Sequence, residues 1–452
     1  MFSRNLPRPF LERLRVEFGP AAEDLINELY STEPAPRTLR VLEEIDPREI
    51  RGLESIGVVP WCPTAQWFHR KREGDTQPIH FHPGYQAGAW HVQEASGLVL
   101  DFLLSKFRSS GLPMNLIMDA CAAPGGKTLT LLEHLAPEGL LVASEPQQDR
   151  LETLLETVSR TGSSQVIVTN ADATVWAEVP NLWDGILVDI PCSGEGMFRK
   201  NQDAIKDWSL GKCEACSQIQ QPILASLIQS LRPGGWMVYC TCTFGFSENT
   251  AMIRPWITSG VMELMDLQIP DEWGFIPASA IDKDWPVKSS AWWALPGKVA
   301  GEGFFCAVMR KAQGKADSSY ESAVALSHQS ISSVEERTAF LKAHWPKQVK
   351  ILRERLSLWS KEGVPSQDLA HALGRRRTSA LQSQLDAEGF DWHEIPLEDP
   401  LVSWYLQGQP LQMGDLRDGW NLMTYQGLGL GWMHKNGVRV TNYFPKSRRI
   451  KR

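Results

Sequence analysis

Three features of the chain point to an α/β protein built on a doubly wound, mostly parallel sheet, with a helical extension before it and a small β-rich domain after it. Between residues 115 and 311, short apolar runs of strand character alternate with longer amphipathic stretches. A loop of small residues and glycines follows the first of those runs and opens a helix. Beyond residue 396 the pattern turns to short apolar pieces punctuated by Gly427, Gly429, Gly431 and Gly437.

The elements follow in order. Residues 5–60 read as helical at first, with Phe10, Leu14, Phe18, Leu25, Ile26 and Leu29 near helical spacing, until Pro34 and Pro36 break the pattern into a more irregular segment. Residues 61–92, rich in Trp, Phe, His, Pro and Gly, read as a loop-rich approach to the core. A helix is expected over 93–107, with Ala95, Leu98, Val99, Phe102 and Leu103 on one side. Strands are expected at 116–119, 140–144, 165–169, 185–189, 236–240 and 304–309. Helices are expected at 127–135, 147–160, 213–231 and 248–258, with Gly162, Pro180 and Pro233-Gly234-Gly235 at the turns. Residues 312–334 read as a polar linker. Residues 335–395 look partly helical. The expected division is thus a mostly helical extension over 1–75, a core over 76–311, the linker, and an α+β region over 335–452.

A length of 452 residues calls for more than one core. A hydrophobic content of 42% and a charged content of 22% describe a globular chain. No apolar run is long enough to span a bilayer, and the first ten residues lack the apolar stretch of a secretory signal. Eight cysteines without framework spacing argue for free thiols. The expectation is a cytoplasmic monomer with no membrane partner. The net charge of −7 counts mildly against a nucleic-acid partner, but residues 419–452 depart from that average. They contain no acid and seven bases, Lys435, Arg439, Lys446, Arg448, Arg449, Lys451 and Arg452, among Trp420, Tyr425, Trp432, Tyr443 and Phe444. That combination supplies phosphate contacts and stacking surfaces, and it also describes an ordinary solvated tail.

Two cysteine segments carry the chemistry. Asp189-Ile190-Pro191-Cys192-Ser193-Gly194 follows the strand-like run 185–188, and Cys240-Thr241-Cys242-Thr243 ends the run 236–239. Strand ends are where an open α/β sheet holds ligands and catalytic groups. A thiolate adding to an electron-poor ring turns a neighbouring ring carbon into a nucleophile. A second site lies at Asp119-Ala120-Cys121-Ala122-Ala123-Pro124-Gly125-Gly126-Lys127-Thr128. It has neither the G-x-G-x-x-G dinucleotide spacing nor the G-x-x-x-x-G-K phosphate-loop spacing. Its glycines let a ligand lie against backbone at a helix N-terminus. Acids end successive strands: Asp119, Glu145, Asp172 and Asp189. Any one of them is more often a cap or turn residue, but the set of four with this loop fits S-adenosylmethionine. Glu145 suits a ribose diol, Asp172 an adenine amino group, and Asp189 the amino acid end.

These segments resemble the signature blocks of the Nop/Sun-type RNA cytosine-5 methyltransferases, and more narrowly the bacterial RsmF-type enzymes of small-subunit ribosomal RNA. The segment from His82 to Gly88, leading to Gln93-Glu94-Ala95-Ser96, is similar to the block before the donor loop there. Leu6-Pro7, Gly429-Leu430-Gly431-Trp432 and Asn442-Tyr443-Phe444-Pro445-Lys446 are similar to the group's terminal regions. The resemblance implies a Rossmann-like methyltransferase core, a PUA-like C-terminal domain, S-adenosylmethionine as cofactor and 16S ribosomal RNA as partner. It assigns the nucleophile to Cys242 and product release to Cys192, and it puts Lys127 and Asp189 beside the target base. The donor would lie on Cys121, Ala122, Ala123, Pro124, Gly125, Gly126, Lys127, Glu145, Asp172 and Asp189. In DNA cytosine methyltransferases the Pro-Cys thiol attacks instead, and residue chemistry alone leaves both assignments open. The N-terminal helices and the basic C-terminus are the arms expected to hold RNA, and Arg199-Lys200 reads equally as a phosphate contact or a solvated pair. Cys121 stands where the family favours a small residue, and residues 37–42 lack its Arg-x-Asn pattern. Cys121 and Cys240 are expected to face the core. Cys213 and Cys216 sit in a helical run with no second pair, so no metal is expected. The same chemistry on transfer RNA or DNA, or a non-catalytic ribosomal RNA-binding assembly factor, are the other readings; the last conflicts with two thiols and four acids.

Overall fold

The computed structural model describes residues 5–31, 36–43, 47, 50, 52–70, 78–178, 180–286, 290–313, 351–353, 365–375, 385, 390–398 and 400–450. The expected linker lies outside these residues except for 312 and 313, as do residues 335–350 and 354–364 and the bases Lys451 and Arg452.

Helices Arg8–Phe18 and Ala21–Tyr30 open the chain. Strands β1 (Arg37–Val41), β2 (Leu53–Val59), β3 (Cys62–Arg70) and β4 (Trp90–Val92) then form an antiparallel sheet in the order β2-β3-β1-β4. The helical and irregular expectation for 37–60, and the loop expectation for 61–92, are corrected here. The segment is rich in β-branched and aromatic residues (Thr38, Val41, Ile56, Val58, Val59, Thr64, Trp67, Phe68), which favour a pleated surface. A buried arginine also fixes β1 to the core. Arg40 is fully buried and pairs with Asp101 at 2.6 Å and Glu133 at 2.7 Å.

The core sheet adds β5 (Leu116–Asp119), β6 (Leu140–Ser144), β7 (Val166–Thr169), β8 (Trp183–Asp189), β9 (Leu231–Thr241), β10 (Met262–Leu264), β11 (Ile276–Pro277), β12 (Ala291–Ala294), β13 (Phe304–Lys311) and β14 (Ile351–Arg353). Its order is β11-β12-β13-β9-β8-β5-β6-β7-β14, with β10 also on β13. Strands β5 to β9 pair in parallel, and β10 to β14 join antiparallel. The chain runs β5-β6-β7 outward and then returns to lay β8 and β9 on the other side of β5. The switch point therefore falls at the carboxyl ends of β5 and β8, where open α/β sheets form a crevice. Register aligns Asp119 with Leu187, and Asp189 with Cys240.

Side chains alternate between two buried faces. Met118, Val142, Ile167, Ile186, Val188, Met237 and Tyr239 point to one, and Ile117, Leu141, Val168, Leu187, Val238 and Cys240 to the other. Burial on both faces explains why these strands read as continuous apolar runs. The second face is covered by helices Val99–Ser109, Gly126–His134 and Gln148–Ser159. The first is covered in part by the two N-terminal helices, through Phe10, Leu14, Phe18, Ala22, Leu25, Ile26 and Leu29. These helices are therefore packed into the core and are not free arms. Phe10 meets Phe198 at 5.1 Å and Trp208 at 5.4 Å edge-on, and Phe18 meets Phe246 and Trp293.

The C-terminal sheet is β15 (Trp392–Pro396), β16 (Gly419–Tyr425), β17 (Leu428–Asn436) and β18 (Arg439–Asn442), in sequence order. Helix Gln367–Arg375 packs on it through Leu369 and Leu373. Its other core is shared with the segment around β1 to β4: Leu39, Phe68 and Trp90 belong to one cluster with Tyr405, Met423, Leu430 and Phe444. Three members of the expected basic-aromatic surface lie inside. Trp432 and Phe444 are core residues, and Arg448 is buried with its guanidinium on the Gln86 carbonyl (2.6 Å) and Gln86 Oε1 (2.9 Å). Burial pulls Arg448 down to about 10. Arg439, Lys446 and Tyr443 are exposed, and half-buried Trp420 meets Tyr443 at 5.1 Å in a tilted contact and His434 edge-on at 4.6 Å.

The fully buried Phe10 ring ties the first helix to the loop after β8. Phe10→Ala should lower the unfolding free energy by about 3–5 kcal/mol in a urea titration. A loss under about 1 kcal/mol would show that this helix is not part of the cooperative core.

Candidate active site

Four pieces converge at the carboxyl ends of β5, β6, β8 and β9. The first is the loop from Cys121 to Gly126, which leads straight into helix Gly126–His134. Ala122 N–H donates to the Ser144 carbonyl at 2.9 Å, and Arg150 donates to the Ala123 carbonyl at 2.7 Å, so the loop is tied to β6 and the next helix. Gly125 sits at φ +108°, and a Cβ there would lie 2.8 Å from Thr157 Cγ2. No side-chain-bearing residue fits that turn. Cys121 is buried among the apolar residues under the loop, and Cys240 is fully buried in the sheet, as expected.

The acids differ in kind. Asp119 is fully buried, and burial pushes its carboxyl up to about 7 against the pull of the Thr128 hydroxyl, which donates to it at 2.7 Å. Glu145 is buried and accepts from Gln147 N–H at 3.0 Å. Its Oε2 lies 3.4 Å from Arg150 but has no hydrogen-bond partner among the described residues, and Asp119 Oδ1 has none either. Asp172 is exposed, and its Oδ1 accepts from both the N–H and the hydroxyl of Thr174. That is the turn-capping role of a surface acid. A donor with a ribose diol fits this cradle: an open-backbone turn, and a buried carboxylate oxygen beside it that still needs a donor.

Asp189 and Lys127 form the third piece. Lys127 Nζ meets Asp189 Oδ2 at 2.6 Å and lies 5.5 Å from the Phe304 ring centre. Burial works against the Lys127 charge, but the Asp189 carboxylate and the nearby thiols outweigh it and hold the ammonium above its ordinary value.

The thiols are the fourth. Cys192 follows β8, Cys242 is one residue past β9, and their Sγ atoms are 3.3 Å apart. Both are partly exposed. The second sulfur and burial hold the Cys192 thiol well above its ordinary value. The two loops are laced together. Gly196 N–H donates to the Cys242 carbonyl at 2.8 Å, and the Ser193 and Thr243 hydroxyls pair at 2.7 Å. The Glu248 carboxylate accepts from Ser193 N–H at 2.8 Å and Ser193 Oγ at 2.6 Å. Glu195 accepts from Phe244 N–H at 3.0 Å, from Trp208 Nε1 at 2.7 Å, and from Arg13 on the first helix at 2.7 Å. Burial alone would push Glu195 up, but Arg13 and these donors hold it below the usual carboxylate range.

The sequence reading missed Glu195, Glu248 and Arg13. Glu195 and Glu248 adjoin the cysteine segments, which is the one signal that marks them. Arg13 carries none beyond being a charge between Phe10 and Leu14. Glu195, Cys213 and Glu248 lie close enough together to ligate a cation. Arg13, Trp208, Phe244 and Ser193 already engage those carboxylates, so the cluster is an ion-pair and hydrogen-bond network. Arg199 is not free for phosphate, because it pairs with Glu28 at 3.2 Å and its side chain is 7% exposed. Lys200 is exposed.

The parallel sheet and its crevice give the fold of an S-adenosylmethionine-dependent methyltransferase. Residues 112–310 match the sequence profile described as 16S rRNA methyltransferase RsmB/F, and residues 393–450 match that of the methyltransferase RsmF PUA domain. Together they take in more than half of the chain, which belongs to the RsmB/F family. A ribosomal RNA small subunit methyltransferase F from Erwinia tasmaniensis is 28% identical over 480 aligned residues, covering 97% of this chain and 96% of that one. The protein of that name from Escherichia coli O9:H4 is 33% identical over 56% of this chain and 51% of its own length. Among solved structures, a methyltransferase homolog protein from Pyrococcus horikoshii superposes with a TM-score of 0.53 at 26% identity, covering 68% of this chain and 95% of that one. NSun6 from Pyrococcus horikoshii, solved with SFG, superposes at 0.56 and 20% identity over 69% of this chain and all of that one. Among the described residues no helix is long and apolar enough to cross a membrane.

Burial pushes Glu248 from 4.5 up to about 7. A carboxyl raised on folding binds more protons folded than unfolded, so its contribution to stability falls as pH rises from about 4.5 to about 7. Glu248→Gln removes that titration and should flatten this part of the Tm–pH profile. An unchanged slope would mean that Glu248 is ionised throughout.

Proposed function

We propose that this chain forms 5-methylcytosine in RNA, with small-subunit ribosomal RNA as substrate, through a temporary bond between Cys242 and cytosine C6. The observation that carries the reading is the thiol pair at 3.3 Å on the rim that also holds Lys127, Asp189 and the donor cradle. Support for RNA comes from the match to an RsmF PUA domain and from the names of the relatives.

Cytosine C5 is too poor a nucleophile to take a methyl group unaided. Addition of the Cys242 thiolate to C6 puts electron density on C5. The family resemblance supports Cys242 as the attacker and Cys192 as the thiol that assists product release, and the 3.3 Å between their sulfurs puts both within reach of one base. S-adenosylmethionine, when bound, supplies the electrophilic methyl group. Glu145 and the Cys121–Gly126 turn would hold it, with Asp119 beneath. Asp189 accepts from the cytosine amino edge, and the Lys127 ammonium offsets charge that develops on the ring. Once C5 is methylated, a water molecule at this partly exposed rim takes the C5 proton, the C5–C6 double bond re-forms and the C6–S bond breaks. Cys192 lies near enough to give its proton to the departing Cys242 sulfur and is reprotonated from solvent. The base must leave its helical stack to reach this rim, so the target is unpaired or flipped.

Incubated with S-adenosylmethionine and small-subunit RNA, Cys192→Ala should accumulate a protein–RNA adduct that survives denaturing electrophoresis. Cys242→Ala should give no adduct and should lower methylation by about a thousandfold or more. An adduct in Cys242→Ala, or methylation that survives it, would overturn the assignment. A second expectation concerns the exposed bases of the C-terminal sheet. Arg439→Ala and Lys446→Ala should each reduce the slope of log affinity against log salt by about one. Unchanged slopes would make that face a bystander.

A further inference from the structure

Cys192 and Cys242 lie close enough to react with one another. Their sulfurs are 3.3 Å apart, and a disulfide needs about 2.05 Å, so a combined shift of little more than about 1 Å closes the bond. The pair is also reachable. Both residues are partly exposed, and Pro191 beside Cys192 is at the surface, whereas Cys62, Cys121, Cys213, Cys240 and Cys306 are buried. The backbone is held on both sides, with Ser193 on Glu248 and the Cys242 carbonyl on Gly196 N–H, so the shift that closes the bond falls on the two cysteine side chains.

We propose that this pair is an oxidative modification site that takes hydroperoxides and closes reversibly to a Cys192–Cys242 disulfide. Cys242 sulfur attacks a peroxide oxygen; the O–O bond breaks, an S–O bond forms, and water leaves from hydrogen peroxide, giving a sulfenic acid. The Cys192 sulfur then attacks the sulfenic sulfur; the S–S bond forms, the S–O bond breaks, and a second water leaves with the Cys192 proton. The two thiols give up two electrons and the peroxide accepts them. Geometry favours the bond over further oxidation, because the resolving thiol stands in van der Waals contact with the sulfur it must reach. Closure removes both reactive sulfurs at once, and a dithiol reductant returns them. None of this depends on which reaction the thiols catalyse.

The test uses the full-length reduced protein, equimolar hydrogen peroxide, alkylation of the remaining thiols and a non-reducing peptide map. Two of the eight thiols should become unreactive together, and the intact mass should fall by two hydrogen atoms. The map should join the peptides that carry Cys192 and Cys242, and dithiothreitol should restore all eight thiols. Cys192→Ser should stop at a sulfenic acid on Cys242 that dimedone captures. A link through Cys216, a link between chains, a sulfinic acid at Cys242 with Cys192 still free, or no thiol loss would each overturn the proposal.

Discussion

A carboxylate sealed from water between the loops that carry Cys192 and Cys242 is the contact on which the rest of this architecture depends. Glu195 is fully buried, yet Arg13 and the Trp208 and Phe244 N–H groups keep it charged. Removing one partner from such a pair leaves an uncompensated charge, which costs about 3–5 kcal/mol. The pair joins three parts of the sequence: the first helix, the loop after β8 and the loop after β9. Two parallel strands alone fix only where their last residues stand. Bringing one sulfur from each loop to 3.3 Å takes cross-links beyond the sheet, and Glu195 and Glu248 provide them from opposite sides. The N-terminal helices thus act on the site as a brace.

The glycine-turn side of the crevice is held differently. There the backbone is pinned by its own turn at Gly125 and by the Ala122 bond to β6, and beside it lies a buried Glu145 oxygen near Arg150 with no hydrogen bond among the described residues. One half of the crevice is rigid through charge networks and the other through close backbone packing. Lys127 and Asp189 span the two halves, since one follows the donor loop and the other ends β8.

Much of this was legible in the sequence because the central strands are buried on both faces and so read as unbroken apolar runs at 116–119, 140–144, 185–189 and 236–240. The cysteine segments and the glycine turn were visible because each stands directly at the end of one of those apolar runs. The sheet over 37–70 was not, because its strands are stabilised by distant partners such as Asp101 and Glu133 and carry no clean alternation. Glu195 and Glu248 were hidden for a related reason: an acid looks the same in a sequence whether it faces water or an arginine 182 residues away. The same blindness misplaced Arg448, which the basic tail presents as a surface charge and which Gln86 receives in the interior.

The cluster that unites Leu39, Phe68 and Trp90 with Met423, Leu430 and Phe444 has a bearing on how the chain is made. An amino-terminal sheet emerges from the ribosome roughly 350 residues ahead of the side chains that complete its interior. At about 5–20 residues per second that interval is some tens of seconds. During it, one greasy surface is without its cover, and the nascent polypeptide is at its most vulnerable to self-association or to capture by holdases.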